Sequence, residues 1–152
     1  MREDNEIHVL SYSSKESDLQ CDKVFSHPNE VWGLSTSPSD ASVFWSISQM
    51  KTGGEYKAQL WKMGDTADQA SASLDSDART YNDLKEIAAL PRHSGVIKTV
   101  QVESSSASSV LSVDDSSVNF WNVDNAGTVY TTASVLLVCS WRAAHMHKHK
   151  YI

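Results

Sequence analysis

The sequence predicts an all-β chain of short antiparallel strands gathered into repeated sheets. Three observations carry this expectation. Apolar and polar residues alternate over short runs, which is the two-residue period of a half-buried strand and not the period of a helix. Serine-rich stretches such as SSKESD, SASLDSD and SSSASS separate those runs and read as turns and solvated loops. A phrase also occurs twice: His27 opens HPNEVWGLSTSP and leads to Trp61 in YKAQLWKM, while His93 opens HSGVIKTVQVES and leads to Trp121 in SVNFWNVD. A His ahead of an alternating strand, closed by a Trp at the end of a later strand, marks one structural unit used twice.

The alternation predicts strands in order along the chain. Residues 6–13 (EIHVLSYS) and 22–26 (DKVFS) form the first two. Residues 30–36 (EVWGLST), 42–48 (SVFWSIS), 56–63 (YKAQLWKM) and 87–90 (IAAL) form the next four. The last four are residues 95–102 (GVIKTVQV), 107–113 (ASSVLSV), 117–123 (SVNFWNV) and 129–135 (VYTTASV). Four and seven positions after each His stand apolar residues, Val31 and Leu34 in one unit and Ile97 and Val100 in the other. Trp45 shares a face with Val43 and Ile47, and Trp32 shares one with Leu34, so both indoles are expected between neighbouring sheets. Residues 64–85 are polar and hold Asp65, Asp68, Asp75, Asp77 and Asp83. They read as a mobile insertion between strands; the alternative is a short helix over 77–89 with Asp77 as its cap.

Composition narrows the functional classes. The 152 residues are 40% hydrophobic and 21% charged, a globular and not a disordered balance. A net charge of −6 argues against nucleic acid as partner, because phosphate binding needs a basic face. No run approaches the ~18 apolar residues of a spanning helix, and MREDNEIH has no apolar core for a signal peptide. Cys21 and Cys139 make no metal or redox spacing, which suits a reduced cytoplasmic setting.

The His-to-Trp units resemble WD40 blades, four-stranded sheets that stack radially into a propeller. Trp61 and Trp121 stand 60 positions apart, beyond the ~40–45 residue WD40 period, and residues 64–85 supply the excess. The expected division is residues 1–26 as the third and outer strands of a preceding blade, 27–92 as a first blade carrying the acidic insertion 64–85, and 93–135 as a second. Residues 136–152 form a divergent tail expected to be disordered, of the kind a frameshift or alternative splicing leaves. The segments NEIHVLSY, FSHPNEVWGLSTSP, AQLWKM and SVNFWNVD resemble, across residues 5–129, the EARP/GARP complex-interacting family of WD40 proteins. That resemblance implies a cytoplasmic scaffold at endosomes and the trans-Golgi network. It would bind vesicle-tethering complexes in recycling and retrograde traffic, with no catalysis, cofactor, metal, nucleic acid or direct membrane insertion.

The resemblance also implies structural positions. In many WD40 blades a His, a strand Ser or Thr, a turn Asp and the Trp form a hydrogen-bonded tetrad. His27 and Trp61 match in the first unit, with Glu55 at the Asp position. His93, Asp115 and Trp121 match in the second, with Leu111 at the Ser/Thr position. Both tetrads are therefore expected to be incomplete.

Competing readings are weaker on the residues. A Ser-His-Asp hydrolase lacks the G-x-S-x-G elbow. His145, His147 and His149 alternate and could meet a transition metal, but a solvated terminal tail is the better reading of them. KHKYI resembles a dilysine retrieval signal without a membrane span to display it. The aspartates of 64–85 lack calcium-loop spacing. Trp32 and Trp45 could anchor a partner instead of filling the core. A ubiquitin-ligase substrate receptor would carry Arg where Gly64 and Asp124 stand. A truncated product without independent function is the remaining alternative. An open ring leaves an apolar flank uncovered, so self-association is expected.

Overall fold

Each alternating run becomes a strand in the computed structural model, which describes residues 5–51, 53–64, 81–91, 93 and 95–136. Strands β1 (Asn5–Ser13) and β2 (Asp18–His27) form a two-stranded hairpin. Strands β3 (Glu30–Thr36), β4 (Val43–Gln49), β5 (Tyr56–Met63) and β6 (Leu84–Leu90) form a four-stranded sheet in chain order. Strands β7 (Thr99–Glu103), β8 (Ser106–Val113), β9 (Ser117–Val123) and β10 (Val129–Leu136) form a second sheet of the same order. All pairings between these strands are antiparallel, and an isolated parallel bridge joins Phe25 to Asn82. Two open meanders without closure into a barrel are the architecture of a partial WD40 propeller.

Packing arranges the three sheets as layers, with β4 in the middle. Phe44 of β4 and Trp61 of β5 meet Ile7 of β1 and Phe25 of β2 in one cluster. On the other side Trp45, Ile47, Ala58, Ala88 and Leu90 meet Val100, Val110, Trp121 and Val123 of the second sheet. Strand β4 is thus buried from Phe44 to Ser48 on both faces. Truncating an aromatic in such a position typically costs ~3–5 kcal/mol, so the interface around Trp45 is a principal source of cohesion.

Several expectations shift. Strand β6 begins at Leu84, inside the stretch read as an insertion, because Leu84 pairs with Met63 and the Gly64 N–H bonds the Asp83 carbonyl at 2.8 Å. That strand replaces the far half of the alternative helix over 77–89. Strand β7 begins at Thr99, since the Val96 N–H is taken by the Asp115 carboxylate at 3.0 Å and not by a neighbouring strand. The rest of the acidic insertion, residues 65–80, and the tail 137–152 with His145, His147 and His149 lie outside the described residues.

Trp32 is the main correction. Val31 pairs with Ser48 and Gly33 with Ile47, which leaves Trp32 as the extra residue of a bulge on an edge strand. Its side chain is 59% exposed and meets the Tyr56 ring edge-on at 6.1 Å between centroids. Leu34, its expected companion, is exposed as well. Trp45, by contrast, lies between sheets as expected.

The turn between β9 and β10 locks the second sheet against the first. Asp124 accepts from the N–H groups of Ala126 (2.9 Å) and Thr128 (2.8 Å), and Gly127 adopts φ 81°. A Cβ at Gly127 would stand 2.5 Å from the Ile87 carbonyl oxygen on β6. Gly53, with φ 87° in the β4–β5 turn, has open space around it. Gly53→Ala should therefore cost only the ~1–2 kcal/mol of a left-handed backbone. Gly127→Ala should cost more, by sheet displacement, and the two denaturant midpoints compared in one titration test this.

Candidate functional site

Two buried hydrogen-bonded chains run between the sheets, one in each repeat. In the first, the Trp61 indole donates to Ser46 Oγ at 2.8 Å, and Ser46 lies 3.1 Å from His27 Nε2. His27 Nδ1 stands 2.7 Å from the Asn29 carbonyl, which can only accept, so Nδ1 carries the proton. Burial keeps this ring neutral, so Nε2 accepts from the Ser46 hydroxyl. In the second, the Trp121 indole donates to Ser112 Oγ at 2.8 Å and Ser112 lies 2.7 Å from His93 Nε2.

Sequence reasoning brings His27 with Trp61 and His93 with Trp121 together, and the geometry also corrects their companions. Ser112, not Leu111, links His93 to Trp121: Ser112 and Trp121 lie on the buried side of the sheet, and Leu111 points to the other. In both repeats the serine follows its His by 19 positions, a spacing that could have identified it. Asp115 does not join the network. It forms a surface pair with Lys98 at 2.7 Å, its side chain 48% exposed. Its neighbour Asp114 is the buried carboxylate, 2% exposed, and its charge acts on the His93 ring. Asp114 Oδ1 collects the N–H and hydroxyl groups of Ser116 and Ser117 at 2.7–3.0 Å. Among the described residues, Asp114 Oδ2 and His93 Nδ1 are both buried without a hydrogen-bond partner. Glu55 is exposed, and its carbonyl accepts from the Met50 N–H; the Asn29 carbonyl takes the place an acid would have.

Electrostatics follow burial. Desolvation holds both His27 and His93 below the usual imidazole range, against the Asn29 carbonyl in one case and the Asp114 charge in the other. Burial alone would push Asp114 up, but the hydrogen bonds from Ser116 and Ser117 outweigh it and leave the carboxyl below its ordinary range.

A second polar layer was not foreseen. Ser48 donates to Gln59 at 3.1 Å and Gln59 donates to Glu86 at 2.9 Å, linking β4, β5 and β6. Asn119 donates to Ser117 at 2.8 Å and accepts from Ser134 at 2.6 Å, linking β9 and β10. Gln59 pairs with Ser46 and Asn119 with Ser112, so the two amides occupy equivalent places. A polar side chain at an inward strand position was the available signal.

Chemically these networks lock strands and do not process substrates. Ser46 and Ser112 are 0% exposed, and each oxygen already faces an indole and an imidazole. What the fold offers to partners is its surface. The Trp32–Tyr56 pair stands at one end of the first sheet. A groove of about 560 Å³ crosses the second sheet, lined by Val102, Leu111, Phe120 and Thr132 among others.

Ser112→Ala strands two buried groups, and an unsatisfied buried donor or acceptor costs about 1–3 kcal/mol. Its denaturation midpoint should fall clearly, whereas that of Asp115→Asn should stay at the wild-type value. Acid should also act through the histidines. Unfolded imidazoles bind protons near pH 6.5 and the folded ones lower, so the neutral rings contribute fully above about pH 6.5 and lose that contribution as pH falls through it. Melting temperature should drop from pH 7 to pH 5, with a shallower slope in a His27→Gln, His93→Gln double variant.

No family model matches the chain. It is 33% identical over 127 residues to the WD repeat-containing protein DWA2 of Arabidopsis thaliana, covering 83% of this chain and 33% of that protein. It is 26% identical over 143 residues to the EARP-interacting protein homolog of Dictyostelium discoideum, covering 80% of this chain and 32% of that protein. The chain thus spans about a third of the length of these relatives. Stacked four-stranded meanders and repeated His–Ser–Trp chains fit the architecture of a partial WD40 propeller, and the chain is similar to a WD repeat-containing protein and to an EARP-interacting protein homolog.

Proposed function

We propose that this chain is a WD40 protein-interaction scaffold whose partner is a vesicle-tethering complex of the EARP/GARP kind. It acts without catalysis or cofactor, in the cytoplasm at endosomes and the trans-Golgi network, in recycling and retrograde traffic. The relative whose name records an EARP interaction supports the choice of partner. The observation that carries the interaction role is Trp32. A large aromatic at a bulge, 59% exposed and braced by Tyr56 on a rigid sheet, is the form a binding hot spot takes. The His–Ser–Trp and amide networks face inward, which leaves the exposed Trp32–Tyr56 pair to act by shape and apolar contact. The uncovered side of the second sheet, with Phe120, Tyr130 and Val135 exposed, supports self-association of the isolated chain.

Binding of the purified chain to immobilised EARP complex tests the reading, with size-exclusion chromatography of the same preparation reporting self-association. Trp32→Ala should weaken capture by about 10-fold or more while leaving the melting temperature unchanged, since Trp32 is not in the core. Equal capture of the variant, or none of the wild type, refutes the role given to this surface.

A further inference from the structure

A second cluster lies on the opposite layer, away from the His–Ser–Trp chains. Val9 pairs with Lys23 and Leu10 with Cys21, so Asp22 is the extra residue of a bulge in β2. A bulge bends its strand and re-aims the side chains beside it. Here it sets Cys21 Sγ 3.7 Å from His8 Nδ1 across the hairpin. His8 Nε2 is 2.9 Å from Glu6 Oε2, and the Tyr81 hydroxyl donates to Glu6 Oε1 at 2.7 Å. A carboxylate can only accept, so His8 Nε2 carries a proton. In the neutral ring the free lone pair is then Nδ1, the atom that faces the thiol. Among the described residues the thiol proton has one other acceptor, the Lys23 carbonyl at 3.7 Å. Cys21 itself is exposed.

Nucleophile, base within reach, and a third group orienting the base make the arrangement that activates a thiol. We propose that Cys21 is a reactive modification site, taking low-molecular-weight disulfides by thiol–disulfide exchange with His8 as proton acceptor. The Cys21 proton passes to His8 Nδ1 and the thiolate attacks one sulfur of the disulfide. That S–S bond breaks as the Cys21 mixed disulfide forms. The departing thiolate takes the proton from His8, so one thiol and one disulfide stand on each side of the exchange. Glu6 and Tyr81 are positioning residues. Among the described residues, the titratable and charged groups near the thiol in the hairpin and beside it are Glu6 and His8 on β1, Asp22 and Lys23 on β2, and Tyr81; Asp22 accepts from the Ser11 hydroxyl at 3.0 Å.

The test is the rate of reaction of the full chain with glutathione disulfide from pH 5 to 9. Peptide mass spectrometry scores Cys21 apart from Cys139. At pH 7 the folded chain should modify Cys21 about 10-fold faster than the chain unfolded in denaturant, where no base is held beside the thiol. His8→Gln should remove most of that gain. Glu6→Gln and Tyr81→Phe should each lower the folded-chain rate at pH 7 towards that of the unfolded chain. A folded-to-unfolded ratio of one or less, or wild-type rates in a folded His8→Gln chain, overturns the proposal. Unchanged profiles in both Glu6→Gln and Tyr81→Phe overturn the relay behind His8.

Discussion

Strand β4 has water on neither side, and the rest of the arrangement follows from that constraint. Its apolar face, Trp45 and Ile47, presses on the second sheet; its other face, Phe44, Ser46 and Ser48, presses on the first hairpin and on β5. A buried hydroxyl in such a place must find its partners inside the protein. Ser46 finds an indole and an imidazole, and Ser48 finds Gln59. The apolar face supplies cohesion without direction, whereas the hydroxyl face admits one register only. Sliding β4 by one residue would bring Ser46 to the Trp45 side and leave both rings unpartnered.

The two repeats solve the same problem with different terminators. His27 ends on a backbone carbonyl two residues away, so the first network is anchored by the chain itself. His93 ends beside a carboxylate held by a serine turn, so the second depends on a charge that four donors keep in place. One is a matter of loop geometry and the other of electrostatics, although the indole and serine are shared.

The fold was largely legible because strands, turns and repeats all leave periodic marks. Residues 30–36, 56–63 and 117–123 match β3, β5 and β9 at both ends, each bounded by a clear break in alternation. Strand β6 was partly hidden because Leu84 follows a long polar stretch with no turn signal between them. The site was harder to read for reasons of parity. Leu111 and Ser112 are adjacent, as are Asp114 and Asp115, and alternation alone does not say which of two neighbours faces inward. Pairing across the sheet decides it: Ser112 opposes Asn119 and Val110 opposes Trp121. Trp32 was misplaced because a bulge breaks the period by one residue and leaves no trace in composition. The inward amides of Gln59 and Asn119 were visible as polar residues in apolar runs, but only the register gives them partners.

The network tolerates length on one arm and not on the other. From His to Ser the chain covers 19 positions in both repeats, while from Ser to Trp it covers 15 in the first and 9 in the second. The difference is absorbed between β4 and β5, beyond the pair Gln49 and Tyr56, where two glycines with positive φ turn the chain back. Loop closure there costs little per added residue, and no bond of the network crosses the tip. The β4–β5 tip is therefore a natural grafting port, where a recognition loop or an affinity tag can be built in while the core keeps its alignment.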